Sequence, residues 1–297
     1  MPTSETYYRA VVRSVTPLSP SLLRVRLGGG DLAGWVSSGV PDERLVVAFP
    51  ADGEPAPPAP QRQPDGTFAY SDEETRPHLR SYTVRAWDPE EAELTLEVVR
   101  HSGGPAARWA DRAAPGDSVY VTQAMGWYAP PADAVWQLLV GDLTGLPAIG
   151  RILESLPAGA RAHVIAEVRD PADRLELCSA ATVTLNWLVG TANDRGGGAL
   201  LAALSEFQPP PGPGYVWFAG EATDSRGVRK HLHRGLGWTT DRYTTLGYWR
   251  RDKARWDARY AEIGPGLERV YAEAVAAGRS STEALELYDD ALEQAGL

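Results

Sequence analysis

The sequence predicts a two-domain β plus α/β protein with a helical tail, and three observations predict it. Residues 1–132 hold short β-favouring runs broken by Pro, Gly and Asp, with one helical stretch near 104–112. After Pro130-Pro131, apolar strands alternate with segments of helical apolar spacing, the pattern of a parallel sheet with covering helices. From Lys253 on, the chain is helical in character. The expectation is a six-stranded antiparallel barrel over 1–132, a parallel-sheet α/β domain over 133–251 and a helical extension over 252–297.

Strands are expected at 7–14 and 22–27, separated by the turn-rich Thr16-Pro17-Leu18-Ser19-Pro20, and at 44–49. Ala51 to Gln63, dense in Pro and Ala, reads as a surface loop. Further strands fall at 80–86, 93–100 and, after Pro115-Gly116-Asp117, at 118–123. In the second domain, Trp136 to Val140 is a mostly apolar strand and Thr144 to Leu156 a helix. Strands follow at 162–168, 183–190, 215–219 and 242–248, with helices at 198–207 and 226–236. In the tail, Gly264-Pro265-Gly266 is expected to break the helix and Gly278 to end its second piece. Ser280 with Glu283 then opens a last helix as a capping box.

A length of 297 residues accommodates two domains with their own cores. Net charge of −10 argues against wrapping nucleic acid or an anionic membrane surface. The single cysteine, Cys178, forms no intrachain disulfide and no cysteine-based metal cluster. The first residues lack a basic-then-apolar leader, and no run approaches the ~18 apolar residues of a membrane span. The chain is read as cytoplasmic. The five histidines show no metal-ligand spacing, with His231 and His233 turned apart on a helix, so no metal is expected. No Gly-x-Ser-x-Gly elbow supports a serine nucleophile.

Two stretches carry the chemistry. Arg80-Ser81-Tyr82-Thr83-Val84-Arg85, read as a strand, sets Arg80, Tyr82 and Val84 on one face and Ser81, Thr83 and Arg85 on the other. His101-Ser102-Gly103-Gly104-Pro105-Ala106-Ala107-Arg108-Trp109 reads as a turn feeding a helix, with Pro105 in its first turn. Free N–H groups and the helix dipole there suit a phosphate. Either stretch alone reads equally well as an exposed strand or an ordinary turn. Together they provide a phosphate seat one strand beyond a Tyr/Thr/Arg cluster, which is what a flavin nucleotide needs.

In open α/β sheets ligands sit beyond the carboxyl ends of strands. Gly141-Asp142-Leu143-Thr144-Gly145-Leu146-Pro147 and Gly220-Glu221-Ala222 are two such ends, each also readable as a structural turn. No Gly-x-Gly-x-x-Gly fingerprint occurs, and Gly196-Gly197-Gly198 reads as a loop, which points away from a standard dinucleotide fold. Tyr248-Trp249-Arg250-Arg251 closes the last expected strand and suits either core packing or the cover of a flavin ring.

In this order, these motifs resemble those of the siderophore-interacting proteins, FAD-dependent ferric-siderophore reductases related to the ferredoxin–NADP reductases. The resemblance runs from residue 7 to about 251. It implies an N-terminal FAD-binding barrel and a C-terminal NAD(P)H-binding domain, with hydride transfer to flavin and single electrons to ferric iron. On that resemblance Arg80 meets the FAD phosphates, Tyr82 lies along the isoalloxazine and Thr83 bonds near N5, with Ser81 beside them. His101 and Gly103, Gly104, Pro105 and Ala106 hold the pyrophosphate, and Trp109 the adenosine end. Gly141, Asp142, Thr144, Gly220, Glu221 and Ala222 line the nicotinamide site, while Tyr248 and Trp249 cover the ring.

Three positions depart from the family pattern: Val46 stands where a lysine is usual, Leu143 where a glutamate is, and Gln123-Ala124-Met125-Gly126 followed by Trp127-Tyr128 replaces a Gly-Pro-x-Gly turn. Leu143 and Trp127 are expected to make the nucleotide side more apolar. Arg242, Arg250 and Arg251 are candidates to attract an anionic ferric siderophore in place of the lysine. The same departures motivate an alternative: a repurposed FAD enzyme of specialised metabolism, a dehydrogenase or cyclase acting on another small molecule.

Overall fold

The structure is a computed structural model that describes residues 6–70, 76–101, 103–190, 198–279 and 281–297. Ser102, Gly196, Gly197 and Ser280, named above, lie outside the described residues.

The first domain is an antiparallel sheet that curls around one core. Its strands are β1 (Tyr7–Ser19), β2 (Leu22–Gly28), β3 (Arg44–Phe49), then a small hairpin of β4 (Gln61–Arg62) and β5 (Phe68–Ala69) inside the proline-rich loop. β6 (His78–Thr83), β7 (Ala86–Asp88), β8 (Glu93–Val99), helix α1 (Pro105–Arg112) and β9 (Ser118–Thr122) complete it. The sheet order is β6-β3-β9-β1-β2-β8-β7, seven strands rather than the six expected. The difference arises after Thr83, where the expected single strand over 80–86 divides. Val84 N–H turns to the Glu43 carbonyl and Arg85 N–H to the Thr95 carbonyl, so the chain changes partner and Ala86–Asp88 pairs with β8. Tyr82 and Val84 both pack on the barrel core.

β1 also runs farther than expected. Thr16 and Pro17 pair with Arg24 and Leu23, and a bulge between Pro17 and Ser19 accommodates the proline that a regular ladder would not. Alternating inward residues, among them Val12, Val25, Leu45, Val47, Leu96 and Val121, fill the interior, which α1 closes with Trp109 and Ala110.

The second domain is a five-stranded, wholly parallel sheet in the order β12-β11-β10-β13-β14: β10 (Trp136–Gly141), β11 (Arg161–Val168), β12 (Thr182–Val189), β13 (Gly214–Glu221) and β14 (Tyr243–Trp249). Helix α2 (Leu146–Ser155) covers one face; α3 (Ala199–Glu206) and α4 (Ala222–Lys230) cover the other. β13 is buried along its whole length because it lies between β10 and β14 with helices on both faces. α4 starts at Ala222, earlier than expected, and continues into a single π turn over His231–Gly235.

The tail forms a helical hairpin of α5 (Lys253–Ala276) and α6 (Ser281–Gln294). Gly264-Pro265-Gly266 does not break α5. A proline in a helix interior removes one backbone hydrogen bond, and here tertiary contacts span the gap. Tyr260 Oη donates to Glu268 Oε1 at 3.1 Å across the proline and meets Tyr288 Oη of α6 at 2.9 Å. Gly264 leaves room for that ring, since a Cβ there would lie 2.7 Å from Tyr260 Cε1. The expected glycine stop does occur, with Gly278 at φ +80°. Among the described residues no helix is long and apolar enough to cross a membrane.

Candidate functional site

Barrel and sheet meet through buried carboxylates. Asp42, fully buried just before β3, accepts the N–H groups of Trp127 and Tyr128 (2.7 and 2.9 Å) on one oxygen and Trp217 Nε1 of β13 (2.9 Å) on the other. Gly126 permits this turn, because a Cβ would sit 2.9 Å from Asp42 Oδ1. Asp173, also fully buried, ties the sheet domain to the β1–β2 turn through Ser19 Oγ, Ser21 N and Ser21 Oγ at 2.7–2.9 Å. Arg151 of α2 pairs with Glu43 at 2.8 Å. Burial acts to raise the Glu43 carboxyl, but hydrogen bonds from Ser37, Ser38 and Arg151 outweigh it and hold the group below its ordinary range.

At this joint lies a cavity of about 690 Å³ between β6 and the α1 turn on one side and the carboxyl ends of the sheet strands on the other. Arg80, Ser81, Tyr82 and Thr83 line it from the barrel, as do His101, Gly104, Pro105 and Ala106. Thr144, Ala222, Tyr248, Trp249 and Arg250 line it from the sheet. Motifs more than a hundred positions apart in sequence are therefore brought together. Among the described residues no side chain caps α1, and a Cβ at Gly104 would come within 2.2 Å of the His101 ring, so glycine there lets the imidazole lie against the helix start.

Five cations face the cavity, Arg44, Arg80, Arg169, Arg250 and Lys253. The single carboxylate among the lining residues, Glu97, is spent on Arg24 at 2.5 Å and Arg85 at 3.6 Å. Thr83 Oγ1 and Tyr248 Oη are buried facing each other, and no further group among the described residues hydrogen-bonds either of them. Burial pushes the Tyr248 phenol up to about 12. A cationic cleft, a helix start with glycine at its cap position and a pair of buried hydroxyls fit the pyrophosphate and the polar ring edge of a flavin dinucleotide.

Several candidates lie elsewhere. Trp109 is buried in the barrel core against Phe49, ring centroids 5.0 Å apart, and Gly103 is exposed with its carbonyl on Arg108. Gly141 and Gly145 both approach the Ala219 carbonyl so closely that a Cβ on either would lie 2.9 Å from it. Asp142 turns its carboxylate inward, to Thr144 N (2.7 Å), Thr144 Oγ1 (2.6 Å) and Trp249 Nε1 (2.6 Å). Burial raises its carboxyl, and these hydrogen bonds oppose the rise. Gly220 packs over Asp142, and Glu221 caps α4 through Thr223 N while also accepting Arg251 N.

Leu143 is buried in the sheet-domain core rather than on the nucleotide side. Arg242 lies in the 3-10 turn just before β14, at the opposite end of the strand from the cavity, and pairs with Asp133 at 2.7 Å. Arg251 lines a second cavity of about 850 Å³ under the tail. There four arginines (Arg250, Arg251, Arg255, Arg259) face four carboxylates (Glu221, Asp224, Asp252, Glu262), so that cavity lacks the charge excess of the first. Arg44, Arg169 and Lys253 were not among the candidates drawn from sequence. Among the described residues no group of three or more metal-ligating side chains occurs.

Residues 11–127 match the siderophore-interacting FAD-binding domain, and residues 134–252 match the siderophore-interacting protein family. Ferric vibriobactin reductase ViuB of Vibrio cholerae is 30% identical over 80% of this chain and 86% of its own. The NADPH-dependent ferric-chelate reductase of Escherichia coli is 30% identical over 80% and 91%. The crystal structure of a siderophore utilization protein from T. fusca superposes with a TM-score of 0.73 at 31% identity, covering 83% of this chain and 94% of that one. With both halves matched in order around one cationic joint, the chain belongs to the siderophore-interacting protein family.

Proposed function

We propose that this chain is a flavin-dependent oxidoreductase that reduces a ferric siderophore or similar ferric chelate with NAD(P)H. The supporting observation is the joint cavity, where the Arg80–Thr83 strand, His101 and the Gly104-Pro105-Ala106 helix start face the Tyr248–Arg250 strand end under an excess of positive charge. In this reading Arg80 and the α1 turn hold the FAD phosphates, Tyr82 packs along the ring and Thr83 bonds its edge. Thr144 and Ala222 shape the nicotinamide side, while Gly141, Asp142, Gly220 and Glu221 act behind them by fixing the turns. Arg250 faces the chelate, and the reaction runs in the cytoplasm.

Bound FAD supplies the conversion between a hydride donor and single-electron delivery to iron. The chain's own part is positioning. Trp249, anchored on Asp142, and Tyr248, a neutral phenol across the working pH range, exclude water from the sheet side of the cavity. Purified protein reconstituted with FAD is expected to show a flavin spectrum and to oxidise NADPH faster when a ferric chelate is added. Failure to take up FAD, or indifference to every ferric chelate, would overturn the reading, the second result favouring an organic substrate.

A further inference from the structure

Val46 leaves its position on β3 without a cation, yet the barrel side of the cavity is not without one. Arg44 opens β3 two residues earlier and lines the cavity. Its guanidinium carbon lies 4.4 Å from the centroid of the Trp127 ring and 5.5 Å from that of Tyr248, a cation held by aromatic surface on both domains. Main-chain bonds fix the arrangement: Arg44 N donates to the Met125 carbonyl at 2.8 Å, and Met125 N returns to Arg44 at 3.0 Å. Just beyond Gly126, Asp42 holds Trp127 and Tyr128 by their N–H groups. The bulky turn and the displaced cation are therefore parts of one construction.

The other cations are differently engaged. Arg80 donates to the Leu79 carbonyl, Arg169 to the Arg100 carbonyl, and Lys253 to Asp257. Among the described residues neither Arg44 nor Arg250 forms an ion pair, and no acceptor takes a hydrogen bond from the Arg44 guanidinium. Arg250 is likewise stacked, 3.9 Å from the Trp256 ring. A stacked guanidinium keeps its N–H edge free and loses little freedom on meeting a pair of oxygens.

Resting on the function proposed above, we propose that Arg44, positioned by Trp127, determines substrate specificity by selecting ferric chelates of net negative charge over uncharged ones. The experiment uses the FAD-reconstituted protein with a ferric tris-catecholate, a polyanion, and an uncharged ferric tris-hydroxamate. Binding of the redox-inert gallium complexes is followed in parallel by tryptophan fluorescence. Arg44→Gln is expected to lower the ratio of kcat/KM values, anionic over uncharged, about tenfold, the order of one charge-assisted contact. Arg44→Lys keeps the charge and retains most of the ratio, which controls for misfolding. Trp127→Leu, which frees the guanidinium without removing it, lowers the ratio less. The gallium titrations shift in the same order. If Arg44→Gln depresses both chelates equally or neither, in turnover and in gallium binding, the inference falls while the reductase reading stands. If the wild type reduces neither chelate, the reductase reading falls and the gallium titrations alone decide the role of Arg44.

Discussion

The barrel–sheet joint and the sheet–tail joint are both polar, and they are built on opposite principles. At the first, Asp42 and Asp173 are fully buried, and each accepts hydrogen bonds both from its own domain and across the joint, Asp42 from the Trp217 indole and Asp173 from Ser19 and Ser21. At the second, the basic face of α4 and its π turn meets the acidic face of α6. Arg229 pairs with Asp289, Lys230 with Asp290 and Glu293 at 2.7 Å, and Arg234 with Glu286 at 3.0 Å and Asp290 at 2.9 Å. A buried carboxylate with directed donors fixes one geometry, since any other leaves charge and N–H groups unpaired. Half-exposed ion pairs are individually weak, screened by salt and tolerant of small shifts. The joint that frames the cavity has the rigid design, and the joint that attaches the tail has the forgiving one.

Three measurements bear on that contrast. Asp42→Ala strands the Trp217 indole N–H and two main-chain N–H groups, and is expected to cost about 3–5 kcal/mol in urea unfolding. A loss below about 1 kcal/mol would erase the distinction between the joints. Arg229→Ala tests the tail pair whose carboxylate is the least accessible of these, and about 2 kcal/mol is expected, between the two classes. The smallest effect is on pH. Hydrogen bonds from Lys230 and then Arg234 hold the Asp290 carboxyl below its ordinary value of 3.8. A lowered folded pKa contributes stability that is present above the unfolded value and lost as the pH falls below it. Tail docking, read by hydrogen exchange of α6, is therefore expected to hold from neutral pH down to the ordinary carboxylate range and to weaken below it. Screening keeps the change from this group under about 1 kcal/mol. Weakening that began near neutral pH would assign the docking to another group.

Much of the site was legible because its residues sit at ends of elements that the sequence marks clearly. The Arg80–Thr83 strand, the glycine turn before α1 and the Tyr248-Trp249 strand end all reach the cavity. What was misread depended on which face or which end a residue takes. Trp109 lies about one helical turn farther along α1 than the residues at the cavity, out of its reach and within the barrel core. Arg242 precedes Trp249 by seven positions of extended chain, roughly 20 Å, which places it at the far end of the sheet. Asp142 and Glu221 show the loop chemistry expected of ligand contacts, but their oxygens are taken by neighbouring N–H and O–H groups. Arg44 gave no local signal, since its placement depends on Trp127 across a long-range bridge. The continuous α5 was hidden for the same reason, because contacts to α6 offset a local breaker.

The glycines at 141 and 145, both pressed against one carbonyl of β13, bear on how this protein can change over time. That layer behind the chamber is peptide backed by peptide, and a new side chain has nowhere to go. Mutation can rework the chamber instead at its lining side chains, Arg44 among them. Descendants of this chain would then differ in what they admit while keeping the bed beneath it the same.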